Sequence, residues 1–195
     1  AAGPKVAAYG GSREDNCGYV GLSNQGATCY LNSLLQALFF APRVREAVYG
    51  WRGEQGPKSQ VHQLQLLFAR LEIGESACVE TKGLTRSFGW DDGEAFVQHD
   101  AQELQKLMVD RLEEECDGEQ VRAALYGECV NWLECEGASY RSSRPEPFSD
   151  LSLVTMGGKG SLLDAVAAYT APQKLEGREQ FQCEDGVKRD AVRGC

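Results

Sequence analysis

The feature that most constrains this chain is a change of hydrophobic period near Ala124. Before it, apolar residues recur at helical spacing; after it, short apolar runs alternate with polar residues and turn signals. Leu31, Leu34, Leu35 and Leu38 predict a helix from about Cys29, ended by Pro42, and Arg43 to Tyr49 a short helix closed by Gly50. Val61, Leu64, Phe68 and Leu71 share the face of a third helix, followed by Gly74. Thr81 to Ser87 reads as a turn or short helix. A long helix is expected from about Gly93 to about Cys116, with Phe96, Leu104, Leu107, Met108 and Leu112 inward and Asp117-Gly118 as its breaker. Beyond Ala124, Tyr126 to Glu134 and Phe148 to Thr155 read as strands around a polar stretch with two prolines. Ser161 caps a helix to about Tyr169, and Glu176 to Cys195 is weakly patterned. Helices first and strands second predict an α+β fold whose strand part looks incomplete. Residues 1–17 read as a flexible tail.

The formal net charge of −9 argues against nucleic acid and anionic membrane surfaces as partners. The hydrophobic fraction of 42% is enough for a core. There is no apolar run of transmembrane length and no signal-peptide core near the start. The eight cysteines are irregularly spaced, which favours reduced thiols in a cytoplasmic or nuclear protein over a disulfide framework. No CxxC pair occurs, so a complete zinc ribbon is not expected.

Chemistry is concentrated in Gly21-Leu22-Ser23-Asn24-Gln25-Gly26-Ala27-Thr28-Cys29-Tyr30-Leu31-Asn32-Ser33-Leu34-Leu35-Gln36. Here a glycine-punctuated loop feeds the first turn of an amphipathic helix, with Cys29 at the junction. The N–H groups and partial positive charge of a helix N-terminus favour a thiolate, the nucleophile of acyl transfer. Backbone amides of the same turn and the Asn24 side chain could hold an oxyanion. These residues alone leave open a buried, inert cysteine.

The stretch resembles the Cys box of the ubiquitin-specific proteases, roughly G-L-x-N-x-G-x-T-C-Y-x-N-S-x-L-Q, and matches it at every fixed position. The resemblance implies a papain-like cysteine protease fold, with Cys29 as nucleophile and Asn24 as the oxyanion-stabilising amide. Phe88-Gly89-Trp90, followed by Gln98-His99-Asp100-Ala101-Gln102-Glu103-Leu104, is similar to the family helix that lines the channel for the C-terminal tail of ubiquitin. On that resemblance Trp90, Gln98, His99, Asp100 and Glu103 bind substrate, the acidic pair meeting arginines of the tail. A solvated acidic face and a core tryptophan are the plainer alternative. Neither His62 nor His99 stands in the Gly-His-Tyr setting of the family's general base.

The region from Tyr126 resembles the start of the family's fingers, where many members hold zinc with two CxxC pairs. Here Cys135-Glu136-Gly137-Ala138 and Cys183-Glu184-Asp185-Gly186 each keep one cysteine, so no metal or other cofactor is expected. The resemblance therefore implies a deubiquitinase that cleaves after the terminal glycine of ubiquitin, with ubiquitin and ubiquitinated proteins as partners. It makes residues 18–195 a partial catalytic domain, with a thumb over about 18–120 and the start of fingers and palm over about 125–195. The catalytic histidine is expected beyond residue 195. A non-catalytic ubiquitin-binding fragment or an inactive isoform is the alternative.

Overall fold

A computed structural model of the protein describes residues 11–90, 100–137, 139–154, 160–183 and 185–195. The chain divides into two compact units, 1–125 and 126–195.

In the first unit, β1 (Gly21–Leu22) leads to α1 (Cys29–Phe40), α2 (Pro42–Gly50) and α3 (Gln60–Ile73). β2 (Cys78–Val79), α4 (Lys82–Ser87), α5 (Ala101–Glu115) and α6 (Gly118–Leu125) follow. Pro42 opens α2 rather than only ending α1, because its ring fixes a helical φ at a position whose N–H is unpaired anyway. Ser59 caps α3 by accepting from the His62 amide at 3.2 Å. Asp117 breaks the chain after α5 and at once starts α6, its carboxylate accepting from the Glu119 and Gln120 amides.

α1 packs on α2 and α5, α2 on α3 and α6, and α5 on α6. Between them lie Leu31, Leu35, Val48, Phe68, Leu112 and Val121, each at most 2% exposed. Burying one such leucine or phenylalanine contributes about 1.5–3 kcal/mol. Two sequence expectations shift on α5. It begins at Ala101, after the extended N-cap Asp100, rather than near Gly93, and residues 91–99, with Phe96, lie outside the described residues. Leu107 is 41% exposed, while Val109 is buried beside Leu104, Met108 and Leu112. The inward stripe thus follows the four-residue row 104, 108, 112.

β1 and β2 pair in parallel, Gly21 opposite Cys78 and Leu22 opposite Val79. This short ladder anchors the glycine loop, which the sequence reads as loop throughout. Of the expected tail, residues 11–17 are tied down: Ser12 bridges Ser76, and the Arg13 guanidinium donates to the Glu72 and Gly18 carbonyls at 2.6 Å each.

In the second unit, β3 (Gly127–Cys135), β4 (Arg141–Phe148), α7 (Leu162–Thr170), β5 (Gln173–Leu175), β6 (Phe181–Gln182), β7 (Lys188–Arg189) and β8 (Ala191–Gly194) follow in order. The main sheet runs β4-β3-β8-β5, all antiparallel, and β6 and β7 form a separate hairpin. α7 starts as expected, with a reciprocal Ser161–Asp164 capping box.

The second expected strand is displaced. β4 occupies the polar, proline-containing stretch, and 149–154 are not strand. Because β4 is an edge strand, Pro145 and Pro147, two apart and so in one phase of the ladder, direct their donor-less nitrogens away from β3. The weakly patterned end supplies β6, β7 and β8, and β8 is an inner strand. Its Gly194 pairs with Trp132, where a Cβ would lie 2.7 Å from the indole Cε2.

The cysteines are not all reduced. Cys129 and Cys195 form a disulfide with their Cα atoms 6.0 Å apart. The β3–β8 ladder brings the last residue alongside β3, a proximity that sequence spacing could not reveal.

Candidate active site

Cys29 is the first residue of α1 and is exposed, unlike the inert core thiol that its residue type also allows. The helix geometry leaves the amides of its first turn without helical acceptors. Thr28, at the N-cap, is fully buried and organises the loop around it. Its amide and hydroxyl both donate to Asn24 Oδ1, at 3.1 and 2.7 Å, and its Oγ1 accepts from the Gln25 amide at 3.0 Å. A backbone N–H can only donate, so the Asn24 atom facing Thr28 is the carbonyl oxygen. That orientation leaves Nδ2 as the outer, donating end of an exposed side chain. Gly26, with φ of 134°, lets the loop turn between Asn24 and Thr28.

Two further contacts hold the loop from outside. Asn32 Nδ2, one turn into α1, donates to the Ser23 and Leu22 carbonyls at 3.4 and 3.5 Å. Gln25 Nε2 donates to Thr81 Oγ1, a buried hydroxyl just before α4. Thr28 and Asn32 lie inside the recognised stretch, yet their supporting roles carry no signal in residue type alone. The Asn-x-x-x-Thr spacing ahead of a helix is the nearest hint.

The remaining residues are placed as follows. Trp90 is half-buried against the helical core, its ring centroid 5.3 Å from that of Phe88. Asp100 and Glu103 are both exposed at the start of α5. Asp100 is the N-cap, accepting from the Gln102 amide at 2.7 Å, so its carboxylate sits outside the helix rather than on its face. Gln98 and His99 lie outside the described residues. His62 Nδ1 is engaged with the backbone of Gly56, 3.1 Å from its amide nitrogen and 3.2 Å from its carbonyl oxygen. Its ring stacks on Trp51, with centroids 6.3 Å apart.

The arrangement is an exposed cysteine at the first residue of a helix, preceded by a loop whose Asn24 carboxamide is held by Thr28, and residues of these types so placed can serve as a thiol nucleophile and an amide donor. Comparison with known proteins narrows the class. The family model described as ubiquitin carboxyl-terminal hydrolase matches residues 20–175. "Ubiquitin carboxyl-terminal hydrolase 47" of Xenopus tropicalis is 40% identical over 195 residues, covering 93% of this chain and 14% of that protein. Its Drosophila melanogaster namesake is 41% identical over 189 residues, covering 91% and 12%. "Ubiquitin C-terminal hydrolase 13" of Arabidopsis thaliana is 39% identical over 184 residues, covering 91% and 16%. The chain belongs to the ubiquitin carboxyl-terminal hydrolase family. It spans only about 12–16% of the length of these relatives.

Proposed function

We propose that this chain is the nucleophile-bearing part of the catalytic domain of a thiol-dependent deubiquitinase, which hydrolyses the bond after the C-terminal glycine of ubiquitin. The observation that carries the reading is Cys29, exposed at the first residue of α1 with Asn24 clamped by Thr28. The thiolate attacks the carbonyl of the terminal glycine. Asn24 Nδ2 and first-turn amides take the negative charge of the tetrahedral intermediate. A histidine supplied elsewhere in the whole protein removes the thiol proton and returns it to the leaving amine.

Trp90, Gln98, His99, Asp100 and Glu103 line the path of the ubiquitin tail. The two carboxylates pair with its arginines, and the exposure of Asp100 and Glu103 supports this. Residues 18 to about 120 form the thumb, and about 125 to 195 begin fingers and palm, in the papain-like arrangement cut short. Ubiquitin and ubiquitinated proteins are the partners, in the cytoplasm or nucleus. The engagement of His62 with Gly56 favours a second reading for residues 1–195 taken alone: a ubiquitin-binding fragment without turnover.

The test is a ubiquitin bearing a C-terminal electrophile, offered to the full-length protein. One covalent adduct is expected, mapped to Cys29 and lost in Cys29→Ala. An adduct that persists in the alanine variant removes Cys29 from the role.

A further inference from the structure

In the second unit, the two cysteines that begin the incomplete CxxC-like segments face each other. Cys135 ends β3, Cys183 follows β6, and their sulfurs lie 3.1 Å apart in a buried cluster with Leu175 and Ala191. Fingers of this family imply zinc at such a place, but the residues present do not fit it. Structural zinc almost always takes four protein ligands. Among the described residues no three of His, Cys, Asp or Glu converge. Of the charged groups acting on the pair, Asp185 and Arg189 are joined by two hydrogen bonds of 2.9 and 2.6 Å, and the Arg189 guanidinium also bonds Cys183.

We infer that Cys135 and Cys183 form a reversible dithiol–disulfide site, an oxidisable staple between the end of β3 and the β6–β7 hairpin. The sulfurs are about 1 Å farther apart than the covalent distance of about 2.05 Å. Both residues already lie at turns whose backbone is fixed. Cys135 N donates to the Tyr140 carbonyl and Glu136 N to that of Asp190; Cys183 N donates to the Val187 carbonyl and accepts at its own carbonyl from Gly186. Closure therefore needs a side-chain adjustment, not a new chain path. Burial, then the facing Cys183, push the Cys135 thiol up to about 11, so it is neutral at ordinary pH and can face a second sulfur without a metal between them.

Reagent access comes from one side. Cys135 lines an open pocket of about 810 Å³ with Trp132, Gly137 and Pro172. The oxidant is a low-molecular-weight disulfide such as oxidised glutathione. Cys135 gives its proton to solvent, its thiolate attacks one of the sulfurs of that disulfide, the S–S bond breaks, and one glutathione leaves as thiolate. Cys183 then gives its proton to solvent, attacks the Cys135 sulfur of the mixed disulfide and expels the second glutathione thiolate. Both released thiolates take up protons. Two protein thiols lose two electrons in all, and one small disulfide becomes two thiols.

The experiment is cysteine mapping of the unmodified chain. Reduced protein is incubated with oxidised glutathione, quenched with a maleimide, digested and analysed by mass spectrometry. Besides the Cys129–Cys195 cross-link, one peptide pair joined through Cys135 and Cys183 is expected, with loss of two hydrogens and full reversal by dithiothreitol. In Cys135→Ala no cross-link reaches Cys183. Free Cys135 and Cys183 after oxidation, or Cys135 joined indiscriminately to several other cysteines, overturns the inference. So does one equivalent of zinc by elemental analysis that is lost in Cys135→Ala, since the pair would then belong to a metal site.

Discussion

Thr28 donates twice to the same atom of Asn24, through its amide at 3.1 Å and its hydroxyl at 2.7 Å. A fully buried residue thereby sets the direction of an exposed carboxamide in the loop that leads to Cys29. Thr28→Val keeps the shape and removes the hydroxyl, leaving the Gln25 amide without its acceptor. A stability loss of about 1–3 kcal/mol is expected for the unsatisfied donor. If Asn24 holds the oxyanion as proposed, turnover of a ubiquitin conjugate and the rate of adduct formation with a C-terminal ubiquitin aldehyde by the full-length protein should fall about tenfold or more. Thr28→Ser should retain both. Timed labelling beside thermal melts separates the two effects, and a valine variant that labels at the parental rate would show that the clamp is structural only.

Asp100 has two duties to be told apart, capping α5 and offering charge. Asp100→Ala should cost about 1 kcal/mol of stability, while Asp100→Asn should cost little, because asparagine caps as well. If the carboxylate also meets arginines of ubiquitin, Asp100→Asn should weaken binding at low salt with no change in melting, and the difference should shrink as salt rises. Glu103→Gln serves as the companion variant. Glu113 would be a poor control, being only 16% exposed and paired with Arg122 at 3.1 Å. Titration calorimetry at two salt concentrations reads the result. Equal affinity of Asp100→Asn and the parent would leave Asp100 a cap and nothing more.

Cys116 offers a check on the helical core from thiol chemistry. Burial first, and the neighbouring Glu115 carboxylate second, push its thiol up to about 11. A raised value means the neutral form prevails through pH 8, and alkylation speeds up about tenfold per unit until pH approaches that value. At pH 8, iodoacetamide should therefore mark exposed Cys17 and Cys29 well before Cys116. Peptide mapping over a time course decides. Labelling of Cys116 as fast as Cys17 would mean that the α5–α6 junction opens.

Most of the helical unit was legible because most of its helices carry their own signals, whereas α6 follows Asp117-Gly118, read in the sequence only as a breaker. Apolar spacing set α1 and α3, and in the second unit Ser161 marked the start of α7, within a few residues of the observed bounds. The sheet was not, since its order depends on partners far apart in sequence. Nothing in Arg141–Phe148 looks like a strand until β4 is known to be an edge, where prolines are harmless. β8 is four residues long and finds its pattern only against β3. At the site, Cys29 and Asn24 were singled out by the resemblance to the family's Cys box, since the loop-to-helix setting alone left an inert cysteine open. The Thr28 clamp, the Asn32 brace and the Gln25–Thr81 contact came from folding alone.

Residues 1–195 expressed alone should show no turnover of a ubiquitin–fluorophore conjugate. Acyl transfer from Cys29 needs a base for the thiol proton, an acid for the departing amine and a base again for deacylation. The sequence contains two histidines, and His62 is committed to Gly56 and stacked on Trp51 at the start of α3. Its partners are structural, and His62→Ala should lower thermal stability by about 1 kcal/mol through the lost contact with the Gly56 loop. In the full-length protein the same variant should leave the rate of adduct formation with electrophilic ubiquitin within about twofold of the parent, since a residue outside the chemistry shifts the barrier little. Steady turnover by residues 1–195 that vanishes in His62→Ala or His99→Ala would place the general base inside this chain and reverse the assignment.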